Sequence, residues 1–273
     1  MNGSKKWQGY LIQSNDDSHC ISSPWKLDNT CVFGYDSDYT TMAISLLRYL
    51  SIENKKISLS SIDERINQQV ILASTDLEIN PSGYHIKCND DASMCIFLTN
   101  QADFILPYEE MQQIDQEMYE KITAAWQDES NIMNTSQGAY VSGQQYDETL
   151  ESRLSLVAQK HHGTIWPPRQ MDSEGEIIAD SFIKIEPSGV VISWTKLSAA
   201  GAPSEFAIRA PILGGISTVM VETKDGPNGV FLVVDDLNIS PKIGDSVDIV
   251  VRMLYAQEGI IRYGTKAIIT NRS

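Results

Sequence analysis

The sequence predicts an α+β protein, with a small N-terminal α/β domain followed by a C-terminal β-barrel. β character dominates from Ile177 to the end of the 273-residue chain. Clusters of Pro, Gly, Ser and Asp separate candidate strands at 183–185, 189–197, 216–222, 229–234, 247–254 and 260–269. Five or six short strands at this spacing are typical of a small closed barrel. The first half mixes helical and strand patterns, and the chain exceeds the usual size of one domain, so two domains are expected.

The composition narrows the class of protein. Apolar residues make up 42% of the chain, which is enough for a packed core. No apolar run approaches the ~20 residues of a membrane span. The first residues, from Met1 to Trp7, are not followed by the apolar segment of a secretory signal. The sequence therefore predicts a cytoplasmic protein without a membrane partner.

The net charge of −15 is unevenly distributed along the chain. Residues 1–150 hold 22 acidic and 9 basic side chains, whereas residues 151–273 hold 14 and 12. Neither half carries the basic surface that non-specific phosphate binding requires. Nucleic acid is therefore not an expected partner, even if the barrel belongs to a fold that often binds it.

All four cysteines lie in the first half, at Cys20, Cys31, Cys88 and Cys95. Ten and six residues separate the members of each pair, which does not match the Cys-x2–4-Cys knuckles of structural zinc sites. We expect free thiols, with Cys31 and Cys95 buried beside apolar neighbours. A zinc site that combines these thiols with His19 or His85 is the less favoured alternative.

Local patterns in the first half predict short strands and one early helix. Residues 1–30 are polar and punctuated by Pro24 and two tryptophans, which favours irregular structure. The turn at 34–38 supplies N-cap residues for a helix that carries Met42 to Leu50. Strand-like apolar runs lie at 30–34, 70–74 and 95–99.

Two helices are predicted on either side of a polar linker. Apolar residues at helical spacing predict a helix over 109–126, and a shorter amphipathic helix is expected over 146–160. Residues 128–145 are rich in Ser, Asn, Gln and Gly, as interdomain linkers are. The apolar positions are Met111, Ile114, Met118 and Ile122 in the first helix and Leu150, Leu154 and Val157 in the second.

Residues 163–169, with the sequence Gly-Thr-Ile-Trp-Pro-Pro-Arg, lie just before the β-rich half. The two prolines restrict φ and remove two backbone donors, so residues 166–169 must be extended. A tryptophan precedes this rigid stretch and an arginine follows it. We call residues 166–169 the arm, which is rigid, begins with an apolar side chain and ends with a charged one. The alternative interpretation is a plain connector whose Trp166 fills a core.

The order of these landmarks resembles a family of thiolase-associated proteins in which a rubredoxin-like zinc ribbon precedes an OB-fold. The similarity covers residues 147–270 and begins with a helix at 150–160. Its further landmarks are His161-His162-Gly163, the arm Trp166-Pro167-Pro168-Arg169, the first barrel strand at 189–195, and the segments 243–247 and 263–266. The resemblance implies a five-stranded OB-fold barrel, with the four arm residues at an interface with a partner enzyme and coenzyme A.

One departure from the family pattern concerns its metal. Where the family carries two cysteine pairs, this chain has His161 and His162, then Met171-Asp172-Ser173-Glu174. The histidines are weak metal candidates, so we expect no zinc and a ribbon held by apolar packing that includes Trp166. The predicted domains are then 1–127 (small α/β domain), 128–146 (linker), 147–176 (helix and cysteine-free ribbon) and 177–273 (OB-fold).

The first half also resembles part of the thiolase superfamily, to which hydroxymethylglutaryl-CoA synthase belongs. The similarity rests on the Asp-rich turn and helix at 34–43, followed in order by the runs 70–74 and 92–99. No segment matches the nucleophilic cysteine of that superfamily. The resemblance implies a shortened relic without catalytic residues, and an unrelated small α/β domain is the alternative.

Together, the resemblances imply a non-catalytic subunit of an acyl-CoA complex. Its partner would be a thiolase or a hydroxymethylglutaryl-CoA synthase-like enzyme, and it would bridge subunits and help to form the coenzyme A channel. No catalytic cofactor is expected, although coenzyme A would pass the shared interface. The alternatives are an OB-fold nucleic-acid-binding protein and a stand-alone acyltransferase, which would need a nucleophile and a base.

Overall fold

The computed structural model describes residues 4–53, 56–75, 77–133, 142–178, 181–224, 226–236, 240–257 and 259–271. The chain divides into two compact units, Met1–Thr123 and Ala124–Ser273. The α+β class is confirmed, with a closed five-stranded barrel in the second unit. Among the described residues, no helix combines the length and the apolar character needed to cross a membrane.

The first unit is built on a mixed sheet. Its strands are β1 (Lys5–Trp7), β2 (Tyr10–Asn15), β3 (Ser18–Ser22), β4 (Trp25–Leu27), β5 (Thr30–Val32), β6 (Leu59–Ser61), β7 (Tyr84–Cys88), β8 (Ser93–Phe97) and β9 (Gln112–Gln113). Six of them form a sheet in the order β1-β2-β3-β8-β7-β6, in which the β6–β7 pair alone is parallel. The strands β5-β4-β9 form a second small sheet. A mostly antiparallel sheet differs from the α/β arrangement expected for this half.

Helix α1 (Tyr39–Ile52) confirms the predicted early helix. The Asp38 carboxylate accepts a hydrogen bond from the Thr41 backbone N–H at 2.9 Å, and the Thr41 side chain accepts one from the Asp38 N–H at 3.0 Å. This reciprocal capping box satisfies two N–H groups that the first turn would leave unpaired. The apolar side chains from Met42 to Leu50 that were expected on the helix are buried.

Two expectations for the first unit are wrong. The apolar run 70–74, expected as a strand, lies in helix α2 (Gln68–Thr75), where the Asn67 side chain caps the N–H of Val70. A short apolar run does not distinguish a strand from a buried helix by periodicity, so the cap decided the outcome. Residues 1–30 were expected as irregular, but within the described residues 4–30 lie β1 to β4 and the start of β5, which pair with neighbouring strands.

The helix expected over 109–126 begins later than predicted. Gln112 and Gln113 form β9, which pairs in parallel with Trp25 and Lys26 of β4. Helix α3 therefore runs over Gln116–Glu129, and the Asp115 carboxylate accepts from the Met118 N–H at 2.7 Å. Pairing with a strand distant in sequence has overridden the helical spacing of residues 109–115.

The second unit contains the barrel and the arm. Its helices are α4 (Gly143–Leu154) and α5 (Arg209–Ile212), and its strands are β10 (Val157–Lys160), β11 (Thr164–Ile165), β12 (Phe182–Lys184), β13 (Ser188–Leu197), β14 (Ile216–Thr223), β15 (Asn228–Val233), β16 (Ser246–Gln257) and β17 (Ile260–Asn271). The last five strands confirm the predicted strands and close a barrel in the order β13-β14-β15-β17-β16. Only β15 and β17 pair in parallel among these strands.

The helix expected over 146–160 ends earlier than predicted. Helix α4 stops at Leu154, and Leu156 adopts a positive φ of 49°. The chain then turns into β10, which pairs with β12 instead of continuing the helix. α4 also begins inside the expected linker 128–146, α3 extends into it as far as Glu129, and the part of the linker at 134–141 lies outside the described residues.

A buried charge network fixes the connection between β13 and β14 against the outside of the barrel. Arg209 of α5 pairs with Glu129 at 2.8 Å and with Asp235 at 3.1 Å, and Lys266 of β17 pairs with Asp235 at 3.0 Å. The Arg209 guanidinium also lies 3.8 Å from the centroid of the Trp126 ring. Both cations are about 1% exposed, and buried charges are tolerated when paired in this way.

Gly189 lies where β13 pairs with both of its neighbouring strands as the barrel closes, and we predict that this position tolerates only glycine. This residue pairs with Thr223 on one side and Val247 on the other, and a Cβ there would collide with the Glu222 carbonyl oxygen and lie 2.6 Å from Val221 Cγ1. We expect Gly189→Ala to destabilise the barrel by about 1–3 kcal/mol, the usual effect of overpacking. Calorimetric unfolding would measure this change.

Gly201→Ala is the matched control for Gly189→Ala. A Cβ at Gly201 would have its nearest atom, Ser198 Oγ, at 3.7 Å, which is ordinary contact. Equal melting temperatures for the two variants would contradict the requirement at Gly189.

Candidate functional site

The segment predicted as a ribbon, 147–176, contains β10 and β11, which form a small three-stranded sheet with β12 from the range predicted as the barrel domain. β10 lies at its centre and pairs antiparallel with β11 and β12. A tight turn at 161–163 joins β10 to β11, and the His161 N–H donates to the Gly163 carbonyl at 2.9 Å. The arm at 166–169 follows β11 directly, so this sheet determines where the arm starts.

A second tight turn follows the arm. Met171 and Ile177 form an isolated antiparallel bridge, and the Asp172 side chain accepts from the N–H groups of Glu174 and Glu176, each at 2.9 Å. Gly175 has a φ of 85°, a conformation that favours glycine. These hydrogen bonds, chiefly the one from Glu176, hold the pKa of Asp172 below its ordinary value.

Trp166 is the first residue of the arm and attaches it to the barrel. Its ring stacks on Phe231 of β15, with 5.5 Å between centroids and 22° between planes, and it packs against the apolar core of the barrel. The Trp166–Pro167 peptide bond is cis. The indole Nε1 is buried and has no hydrogen-bond partner in the described part of the chain. Trp166 therefore contributes to the core, and its ring is only partly available to another molecule.

Gly229 of β15 makes room for this stack. A Cβ at position 229 would lie 2.5 Å from Phe231 Cε2 and 2.9 Å from Trp166 Cζ3. Any side chain there would have to push the two rings away, because real Cβ contacts are longer. The Trp166–Phe231 stack, and with it the position of the arm, therefore requires a glycine at position 229.

The rest of the arm lies at the surface. Pro167 and Arg169 are exposed and Pro168 is half-buried. The Arg169 backbone N–H donates to Oε1 of the buried Gln159 at 2.8 Å, which fastens the end of the arm to β10. Within the described residues the Arg169 guanidinium makes no ion pair, so a planar cation is presented to solvent.

The two turns bring both histidines next to carboxylates. His161 Nε2 lies 3.3 Å from Asp172 Oδ2, and His162 Nε2 lies 3.9 Å from Glu176 Oε2. The two imidazole rings have centroids 4.3 Å apart. The sequence pointed to Asp172 and Glu174, but Glu176 is the second carboxylate that faces a histidine.

These residues do not fit the closed zinc site that the family resemblance implies. His161, His162 and Glu176 offer three ligand atoms spread over up to 4.8 Å. A structural zinc ion needs four ligands, each about 2.0–2.3 Å from the metal, and usually several thiolates. The four cysteines are buried free thiols of the first unit, and burial raises the pKa of Cys31 and of Cys88 to about 12.

Sequence reasoning missed the residues that hold the arm. Gln159, Gly229 and Phe231 belong to strands whose local patterns resemble those of other β segments. Their roles depend on pairings between distant parts of the chain, so no motif could have identified them. Two adjacent histidines and the Asp172 turn were the signals that the sequence did provide.

Comparison with protein families and with curated proteins finds no match for this chain.

We expect the purified protein to contain no stoichiometric zinc, because the two turns lack thiolates and the ligand atoms that cluster there among the described residues come from three side chains, His161, His162 and Glu176. Elemental analysis after purification without chelator checks this expectation. One zinc per chain that disappears in a His161→Ala and His162→Ala double variant would contradict it.

We expect Gly229→Ala to lower the stability of the second unit by about 1–3 kcal/mol, through displacement of the Trp166–Phe231 stack. Tryptophan fluorescence during denaturant unfolding measures the change. Gly163→Ala is the control on the same ribbon, because a Cβ at Gly163 would meet nothing within 4 Å. If both variants unfold like the wild type, the stack does not fasten the arm.

Proposed function

We propose that this protein is a non-catalytic accessory subunit of a thiolase-superfamily acyl-CoA complex. The observation that carries the proposal is the arm, in which a half-buried Trp166, packed against the barrel core, supports an exposed Pro167 and Arg169. A segment held in this way loses little conformational entropy on docking. Tryptophan and arginine are also the residue types most enriched in binding hot spots.

The proposed OB-fold assignment is supported by the strand order of the barrel. Numbered from its own first strand, the barrel reads 1-2-3-5-4, and its third and fifth strands are parallel. OB-folds are five-stranded Greek-key barrels, so this strand order supports the proposed assignment. The sheet that precedes the barrel, with its two turns, supports the proposal that 147–176 comprise a helix and a cysteine-free ribbon.

Arg169 suits a junction with coenzyme A or an acidic partner. Its side chain is exposed while its backbone is fixed through Gln159. A guanidinium presents paired donors that match phosphate or carboxylate oxygens. In the proposed complex this residue lines the channel through which coenzyme A reaches the partner's active site.

A stand-alone acyltransferase is supported less well. In the first unit Ser61 Oγ lies 2.7 Å from His85 Nδ1, which is a hydroxyl–imidazole pair. Within the described residues no carboxylate bonds the other ring nitrogen of His85, and its ring stacks on Phe97. A serine nucleophile normally needs its base oriented by a third group.

The proposed relation of the first unit to the thiolase superfamily has narrower support. The Asp-rich turn and α1 match the expected pattern, with Asp38 as the cap. The run 70–74 is a helix and not the strand on which the resemblance partly rested. We therefore base the proposed function on the second unit.

Purification of the native protein from its source, with identification of bound chains, tests the proposed complex. We expect a thiolase-fold enzyme at a fixed ratio. We then expect Arg169→Ala to weaken binding of that enzyme about 30-fold if Arg169 is a hot spot worth ~2 kcal/mol. Trp166→Ala should weaken it as well, and it also removes core packing.

Lys242→Ala is the control for Arg169→Ala, since it removes an exposed cation from the same unit. Circular dichroism verifies that each variant is folded. The proposal is overturned if the isolated chain shows robust thiolase activity, or if a folded Trp166→Ala and Arg169→Ala double variant binds the partner with unchanged affinity.

A further inference from the structure

The N-terminus of helix α4 carries the partial positive charge of the helix dipole. Its N-cap Ser142 uses Oγ to accept from the Gln145 N–H at 3.1 Å and its carbonyl to accept from the Tyr146 N–H at 2.9 Å. The N–H groups of Gly143 and Gln144 have no acceptor within the helix, as in any first turn. No acidic residue lies in this turn. Within the first turn, therefore, no acidic side chain balances the partial positive charge of the helix terminus.

A buried arginine lies beside the same turn. Arg262 of β17 is 3% exposed, and its Nη2 is 3.9 Å from the position that a Cβ on Gly143 would take. The guanidinium lies 4.6 Å from the centroid of the Tyr146 ring, and its Nε is buried with no hydrogen-bond partner among the described residues. In the ranges that the structure describes, no carboxylate lies within ion-pair distance of Arg262.

Neighbouring groups do not supply the missing negative charge. Burial raises the pKa of Tyr146 to about 12, so its hydroxyl is neutral at physiological pH. Tyr255 is the cross-strand neighbour of Arg262, and burial raises its pKa too. Asp147 is the nearest acidic residue on α4, and it is exposed and makes no ion pair with Arg262.

The geometry of the site is fixed by hydrogen bonds. The Tyr146 hydroxyl accepts from the Tyr263 N–H at 2.8 Å and lies 3.3 Å from the Tyr263 carbonyl oxygen. These contacts hold α4 against β17, so the helix terminus and Arg262 cannot separate without breaking them. An unpaired buried charge is strongly unfavourable, and the cation–π contact with Tyr146 offsets only part of that penalty.

We propose that the N-terminus of α4 and Arg262 form a binding site for a small oxyanion. The N–H groups of Gly143 and Gln144, for which the described residues provide no acceptor, and the guanidinium of Arg262 are the kind of donors that bind phosphate and carboxylate groups. The site lies in the second unit, uses none of the arm residues and needs no thiolase partner. It is therefore independent of the proposed function.

Titration of the isolated full chain with inorganic phosphate tests the site, with potassium chloride added to keep the ionic strength constant. Backbone amide NMR should show saturable shifts at Gly143 and Gln144. A parallel titration with acetate distinguishes a phosphate from a carboxylate preference. Arg262→Gln should weaken binding at least tenfold, whereas Arg153→Gln, near the other end of α4, should not. Absence of saturable shifts with both anions overturns the proposal.

A second variant keeps the test decisive if Arg262→Gln does not fold. The position of a Gly143 Cβ is free of close contacts, so Gly143→Asp can place a carboxylate beside Arg262. We expect it to abolish phosphate binding and to raise Tm by about 2–4 °C over the isosteric Gly143→Asn, which corresponds to roughly 1 kcal/mol in a chain of this size. Equal Tm and unchanged phosphate binding in the two variants would overturn the site.

Discussion

The stack of Trp166 on Phe231 is the contact on which the arrangement of the second unit depends. It connects the arm that follows the β11-β10-β12 sheet to the barrel core, and it requires the space that Gly229 leaves for both rings. In a zinc ribbon a metal ion joins the two turns, but here the turns are joined by a partly buried His161–Asp172 contact and an exposed His162–Glu176 contact. An exposed pair contributes little free energy, so we attribute the position of the arm chiefly to the apolar packing of Trp166.

The buried cations of the second unit have two different kinds of surroundings. Arg209 and Lys266 are neutralised by Glu129 and Asp235, and the network fixes α5 to the barrel. Burial raises the pKa of Glu129 above its ordinary value, although the pairing with Arg209 opposes that shift. Arg262 has an aromatic neighbour and no carboxylate among the described residues. This contrast is the reason why Arg209 is assigned to a structural ion pair and Arg262 to the proposed oxyanion site.

Local chemistry explains which elements could be predicted. The capping residues around Asp38 predict the start of α1, and the alternation of apolar residues between turn clusters predicts the barrel strands within a few residues. Two prolines likewise establish that the arm is extended. Prediction failed where a distant strand competed with a local pattern, as at Gln112–Gln113, where pairing with β4 replaced the first turn of a helix.

The sequence by itself determined the α+β class, the five barrel strands and the stiff segment from Trp166 to Arg169. Each of these follows from residue types that are close together in the chain. Only the tertiary structure decided that Trp166 packs against the barrel core. It also decided that Glu176 rather than Glu174 faces a histidine, and that Arg262 lies beside the first turn of α4. These outcomes depend on strand register and on the space left by glycines, which are set by packing between residues far apart in sequence.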